Sequence, residues 1–313
     1  MNTEKRYAAI DVGSNSVRYM EEGRPDVLTV TTRLGSGLAD TGRLAEATMA
    51  RSVRVIAAMA NNARRAGYTP VAYATSAVRD AENRAEFLER VYEASGVMPE
   101  VLSGEREAEY AFRAATDGKG GLIDIGGGSM QLVTAFFRRS YPIGCVRGRD
   151  IALASAGKTD CDDDFPAQRA AVGAYIDGLV SGPGALPEKG SMLPLTGVGG
   201  SITTLGALCL DLGAFDKSRV HGSVIGRERL EDVIGVLSAL GEKRREHPLL
   251  RVRHDVILYG AAILAKAMDL MEIPSLTVST RDGLDGYIAA VRAGAAGPGA
   301  HADTIKQTIP NGE

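Results

Sequence analysis

Short apolar runs and helically spaced apolar stripes alternate along this chain. The run leading into Ile10 ends at Asp11, turns through Gly13-Ser14-Asn15-Ser16 and resumes over Val17 to Met20, the pattern of a hairpin. Val53, Ile56, Ala57 and Ala60 then recur at i, i+3, i+4 and i+7, which predicts an amphipathic helix that Gly67 stops. A strand over Val71 to Ala74, a helix around Ala81 to Ala94, a strand around Glu100 to Leu102 and a helix from about Glu105 to Ala115 follow. Later come hairpin strands, a helix after Pro166, a strand over Leu193 to Thr196, and helices around Ile202 to Leu210, Leu230 to Leu240 and Val256 to Met271. A strand over Leu276 to Ser279 and a last helix close the pattern. Strands alternating with helices predict an α/β fold with mixed or parallel sheets.

One segment occurs twice. Ile10-Asp11-Val12-Gly13-Ser14-Asn15-Ser16 returns as Ile123-Asp124-Ile125-Gly126-Gly127-Gly128-Ser129, 113 positions later. That period is too wide for a solenoid and fits a duplicated domain. The polar, glycine-rich stretch Thr116 to Gly121 is the expected boundary, giving residues 1–117 and 118–295 as two similar halves with a cleft between them. Residues 296–313, mostly Ala, Gly, Pro and scattered polar side chains, are expected to be a flexible tail.

Composition narrows the ligand. With 36 Lys and Arg against 39 Asp and Glu the net charge is −3, so no general basic surface exists for nucleic acid or anionic lipid. An anionic ligand must be held by a local site. Cys145, Cys161 and Cys209 are odd in number and lack metal-ligand spacing, which suits reduced thiols in a cytoplasmic protein. The longest apolar stretch, Ile257 to Ala265, is far short of the ~20 residues a membrane span needs, and the amino terminus has no signal-peptide apolar region. A soluble protein with no membrane partner is expected. His221 and His254 have no partner at ligand spacing, and the acidic run Asp160 to Asp164 before Pro166 reads as a helix cap.

Glycine explains the chemistry. The 38 glycines are about 12% of the chain, against a usual ~7%. In turns they let backbone N–H groups converge on an anion, with flanking hydroxyls as further donors. Gly13, Ser14, Asn15 and Ser16 form one such candidate phosphate cradle, and Gly126, Gly127, Gly128 and Ser129 a second. Gly199, Gly200 and Ser201, opening a helix near Ile202, form a third. Asp11 and Asp124 precede the first two. A carboxylate beside a phosphate cradle repels its ligand unless a cation intervenes, so both are candidate ligands of Mg²⁺ or Mn²⁺.

These stretches resemble the exopolyphosphatase and guanosine pentaphosphate phosphohydrolase (Ppx/GppA) family, within the actin, sugar kinase and heat-shock chaperone superfamily. The resemblance runs from about Ala8 to Ala290 through AAIDVGSNSVR, TRLGSGL, YATSAVRDAENRAEFL, LSGEREAEYAF, GLIDIGGGS and TGVGGSITTL, in family order. It implies a two-domain actin-like, ribonuclease H-like fold with the active site in the interdomain cleft. Removal of a terminal phosphate by metal-assisted in-line water attack is the implied reaction, with polyphosphate or guanosine pentaphosphate as substrate and a homodimer as the assembly. Glu107 matches the family's catalytic glutamate and Arg79 its phosphate-contacting arginine; Arg18 and Arg33 are further candidates of the same kind. Read without the family, Glu105, Glu107 and Glu109 are a solvated acidic helix start.

The chain departs from the family in two places. Ser129-Met130-Gln131 replaces Ser-Thr-Glu, and Asp282-Gly283-Leu284-Asp285-Gly286 replaces Gly-Leu-Arg-Glu-Gly. Gln131 leaves open a catalytically weakened sensor of guanosine tetra- or pentaphosphate. An ATP-dependent kinase of the superfamily is a third alternative. The short form, without the helical domain of long family members, favours short phosphate chains.

Overall fold

The computed structural model describes residues 5–24, 26–155 and 164–297. Cys161, most of the acidic run before Pro166 and residues 298–313 of the expected tail lie outside them. Ala296 and Gly297 are described: Ala296 is buried, and the Gly297 amide donates to Glu100 at 3.2 Å. Among the described residues no helix is long and apolar enough to cross a membrane.

The first half contains β1 (Tyr7–Val12), β2 (Ser16–Glu21), β3 (Val27–Thr31), α1 (Leu38–Thr41), α2 (Glu46–Arg65), β4 (Thr69–Ala74), α3 (Ser76–Asp80), α4 (Arg84–Ser95), β5 (Glu100–Val101) and α5 (Gly104–Thr116). The second opens with β6 (Gly121–Ile125), β7 (Met130–Val133), β8 (Arg138–Tyr141), α6 (Cys145–Ser155) and α7 (Phe165–Leu179). It continues through β9 (Leu195–Val198), α8 (Gly200–Cys209), α9 (Lys217–Val220), β10 (Val224–Gly226), α10 (Arg227–Leu240), α11 (Ile257–Leu270), β11 (Ser275–Val278) and α12 (Gly283–Arg292). The sheet orders β3-β2-β1-β4-β5 and β8-β7-β6-β9-β11-β10 are the same design, the second with one extra edge strand. In each, an antiparallel meander is followed by a strand parallel to its first member, β4 on β1 and β9 on β6. This is the duplicated α/β architecture that the repeated motif implied.

Strand alternation decides what lies between the halves. Ile10 and Val12 pack with Ile56, Met59, Phe87 and Val91 of α2 and α4. Ala9, on the other face, packs with Val71, Tyr73, Tyr110, Leu284 and Tyr287. In the second sheet Ile123 and Ile125 join the large cluster of α7, α8, α10 and α11, whereas Leu122 meets Ala108, Ala111 and Phe112 of α5. Helices α5 and α12 therefore fill the space between the inner faces of the two sheets. Helix α12 falls in the second expected segment yet packs on α5 and β1. Asp11 and Asp124 lie on these inner faces, two residues beyond Ala9 and Leu122.

Three local differences from the sequence reading have physical causes. Asn83 is committed to Leu44, accepting from its amide at 2.9 Å and donating to its carbonyl at 3.0 Å. The expected helix from Ala81 therefore starts at Arg84, behind the separate short α3. In α2 the buried line is Met49, Ser52, Ile56, Met59, Ala60 and Ala63, so Val53 and Ala57 flank the stripe. Helix α6 was not foreseen, because Arg147, Gly148, Arg149 and Asp150 interrupt any apolar stripe. Asp164 caps α7 as expected, its side chain accepting from Ala167 N at 3.3 Å.

Candidate active site

β1 and β6 each end just past an aspartate and turn through the same hydrogen bond, Gly13 N to Ser16 O at 3.1 Å and Gly126 N to Ser129 O at 3.0 Å. Register then sets the electrostatics. Arg18 lies opposite Asp11 and Gln131 opposite Asp124, at equivalent positions of the repeat. Arg18 grips Asp11 Oδ2 through Nε at 2.8 Å and Nη2 at 2.5 Å, while its Nη1 bonds Asp282 at the start of α12. Gln131 is neutral; it donates to Ser129 Oγ at 2.9 Å, and its Oε1 is buried with no hydrogen-bond partner among the described residues. Asp11 is thus charge-compensated, and Asp124 has no ion-pair partner among the described residues.

The first turn of α5, capped by Ser103, carries Glu107 to this junction. Arg79, at the end of α3, donates to Leu102 O at 2.8 Å and pairs with Glu107 at 3.4 Å. Burial pushes Glu107 up to about 8, with the Asp124 charge adding and Arg79 opposing. Burial likewise raises Asp124 to about 7, helped by Asp282 and opposed by Arg18. These mutual effects place the expected catalytic and metal candidates in one cluster. Tyr73, which the sequence reading did not single out, is opposite Asp11 on β4 and stacks on Tyr287 with ring centroids 4.6 Å apart.

Three loops close over the cluster. A Cβ on Gly127 would fall 2.8 Å from Ser14 Cβ and 3.0 Å from Asn15 N, so the two cradles meet because glycine is there. The amides of Cys145 and Val146 hold the Gly126 and Gly127 carbonyls at 2.9 and 2.8 Å. Helix α6 thereby orients the second loop. Among the described residues the amides of Ser14, Asn15, Gly127 and Gly128 donate to no backbone carbonyl, as an anion cradle requires. The third loop brings Gly199 against Asp124: a Cβ there would lie 2.7 Å from Oδ1.

Charged side chains also cross between the halves. Arg33 pairs with Asp255 at 2.9 Å and Arg147 with Asp80 at 2.7 Å. Beside Ser14, Gly35, Gly128 and Arg147 lies a cavity of about 10 Å³, room for about one water. Arg253 is the functional candidate the sequence hid, since nothing in its spacing distinguishes it from a surface arginine. Its guanidinium covers the amino terminus of α8, where a Cβ on Gly200 would fall 1.9 Å from Nη2. Burial lowers its pKa, and no acceptor for it occurs among the described residues. A cation at the positive end of a helix dipole marks a place for an anion.

Metal fit is selective. No group of three or more His, Cys, Asp or Glu side chains is placed to hold an ion among the described residues. The uncompensated Asp124 suits a cation that fills its other positions with water and phosphate oxygens, the habit of Mg²⁺. The raised carboxylates also predict a pH effect on stability. Between the ordinary value of 4.5 and about 8, folded Glu107 holds a proton that the unfolded chain releases, so this group's contribution falls as pH rises through that window. Thermal melts of metal-free Glu107→Gln should match the parent near about pH 4.5 and lie above it near about pH 8.5. A constant difference across that range would contradict the buried-carboxylate account.

The model of the Ppx/GppA phosphatase family matches residues 26–288. Exopolyphosphatase 2 of Mycobacterium tuberculosis is 32% identical over 318 residues, covering 90% of this chain and 97% of that protein. An exopolyphosphatase-like protein of known crystal structure superposes with a TM-score of 0.83 at 25% identity, over 92% of this chain and 99% of the other. The Aquifex aeolicus Ppx/GppA family member gives a TM-score of 0.69 at 26% identity, over 98% and 99% of the two chains.

Proposed function

Because this chain belongs to the Ppx/GppA phosphatase family, we propose that it is an exopolyphosphatase-type phosphoanhydride hydrolase, releasing terminal phosphate from short polyphosphate or guanosine pentaphosphate. The observation that carries the reading is the meeting of Glu107 with an uncompensated Asp124 where three glycine loops converge. In-line attack on a phosphoryl group needs an oriented water, a base for its proton and positive charge around the equatorial oxygens. Glu107 orients and deprotonates the water; its raised pKa makes it a strong base that needs neutral to alkaline conditions to be free. Arg79 steadies Glu107 and offers its other N–H groups to a phosphate oxygen. The loop amides and Arg253 receive the remaining oxygens. Mg²⁺ or Mn²⁺ held by Asp124, with Asp11 beside it, would supply charge neutralisation on the transferring group.

Gln131 motivates a second reading, a sensor that keeps the cleft and has lost turnover, because a neutral amide stands beside Asp124. Phosphate release from tripolyphosphate, guanosine pentaphosphate and polymers of hundreds of units, with Mg²⁺ and with chelator, separates the readings. The hydrolase reading expects metal-dependent release with higher kcat/KM on the short substrates. A steady rise in efficiency towards the longest chains overturns the short-substrate claim. Tight nucleotide binding without release assigns the sensor, and transfer from ATP to an added acceptor assigns a kinase.

A further inference from the structure

Arg18 is the charged side chain best placed to serve two masters. Its Nε and Nη2 face Asp11, within the first sheet, and its Nη1 faces Asp282, which is 264 residues away in sequence. The Asp282 carboxylate is itself anchored: its Oδ1 accepts from Leu284 N at 3.0 Å, and its backbone amide donates to Asp285 Oδ2 at 3.1 Å, a capping box that opens α12. Tyr73 and Gly283 close the surroundings, with a Cβ on Gly283 lying 3.2 Å from the Tyr73 hydroxyl. The other groups facing the pair are Asp124 and Asp11, whose carboxylates feel the Asp282 charge.

Asp11 and Asp282 together engage Nε, Nη1 and Nη2 of Arg18, and two carboxylates outweigh its single positive charge. Arg18 lies on β2 two residues past Ser16 of the first cradle, and its Nη1 faces a carboxylate oxygen of the same charge sign as a phosphate oxygen, so a phosphate that takes the Nη1–Nη2 edge in bidentate fashion competes with Asp282. We infer that Asp282 is an internal competitor for Arg18, a specificity-determining residue that a substrate phosphate must displace before Arg18 can bind it. The inference rests on the phosphoanhydride reading of the site and adds to it a residue that weakens binding of small phosphate anions. A monophosphate, with few other contacts, displaces Asp282 poorly. A longer chain, held also by the glycine loops, displaces it readily. Asp282 thereby favours substrates over the phosphate product.

The test is equilibrium binding of inorganic phosphate and of tripolyphosphate, in Mg²⁺, to the full chain and to Asp282→Asn. Asparagine keeps the side-chain oxygen that caps Leu284 N, so α12 is retained, and thermal melts check this. Asp282→Asn should bind phosphate on the order of tenfold more tightly, the usual weight of one charge-assisted hydrogen bond, and tripolyphosphate by a smaller factor. In an Arg18→Gln background the same substitution should tighten phosphate by a clearly smaller factor, the part that the Asp282 charge exerts without Arg18. Equal phosphate affinity in parent and Asp282→Asn, or tightening of the same size without Arg18, overturns the inference while leaving the hydrolase reading standing. Failure of the parent to bind either anion overturns both.

Discussion

Glu107→Gln will lower phosphate release from tripolyphosphate by about a hundredfold or more, the usual cost of removing a general base, with KM little changed. The carboxylate stands in the first turn of α5, tied to Arg79 at 3.4 Å and pushed up to about 8 by burial and by Asp124. Glutamine keeps its shape and one hydrogen-bond acceptor for Arg79 but cannot take a proton from water. The fall should therefore be in kcat, and a rise in pH should not restore it. In the parent, kcat/KM should climb as pH approaches about 8 and Glu107 ionises. A variant with a rate within threefold of the parent would remove Glu107 from the mechanism.

The largest stability effect is expected from Gly286→Ala, at about 3 kcal/mol or more, as for an overpacked site that cannot relax. A Cβ there would lie 2.1 Å from the Tyr110 carbonyl oxygen and 2.5 Å from its carbon. Both are backbone atoms of α5, so no rotamer change relieves the clash. Helices α5 and α12 would have to separate, loosening Glu107 and Asp282 together. Gly235→Ala is the control: it is exposed on α10 with open space around its would-be Cβ, and should stabilise by about 0.5–1 kcal/mol through helix propensity. Chemical denaturation of the two variants gives the comparison directly. A loss below about 1 kcal/mol for Gly286→Ala would mean that the helix pair adapts more easily than backbone contact allows.

Much of this arrangement is written locally. The repeated motif of β1 and β6 marks both cradles, because an apolar strand, an aspartate and a glycine turn are adjacent in sequence whenever they are adjacent in space. The expected site residues Asp11, Asp124, Glu107, Arg79 and the three loops all fall around one junction. What escaped depends on distance along the chain. Arg253 reaches Gly200 from the turn before α11, and Asp282 reaches Arg18 across almost the whole sequence. Neither spacing nor periodicity records such meetings. Gly286 sits in a visible motif, yet only the crossing with Tyr110 explains why glycine is required there. Helix α6 was hidden because Arg147, Gly148, Arg149 and Asp150 break its apolar stripe, and its service to the Gly126 and Gly127 carbonyls is a backbone contact that no side-chain pattern records.

The return of α12 to the first sheet also sets an order of assembly. Residues 8–102 supply one side of the cluster that contains Ala9, Val71 and Tyr73, but Leu284, Tyr287, Ile288 and Val291 supply the other. On a ribosome those four emerge about 180 residues after Leu102. The second sheet has no such wait: its cluster runs from Ile123 to Val278 and is complete once β11 has been made. Domains usually fold in the order they are synthesised. Here the amino-terminal half must hold Tyr73 and its neighbours open to solvent until α12 docks, so the half made first waits for a helix of the second segment. Because Asp282 opens α12 and meets Arg18 only at that docking, the charge balance of the cleft is set together with it.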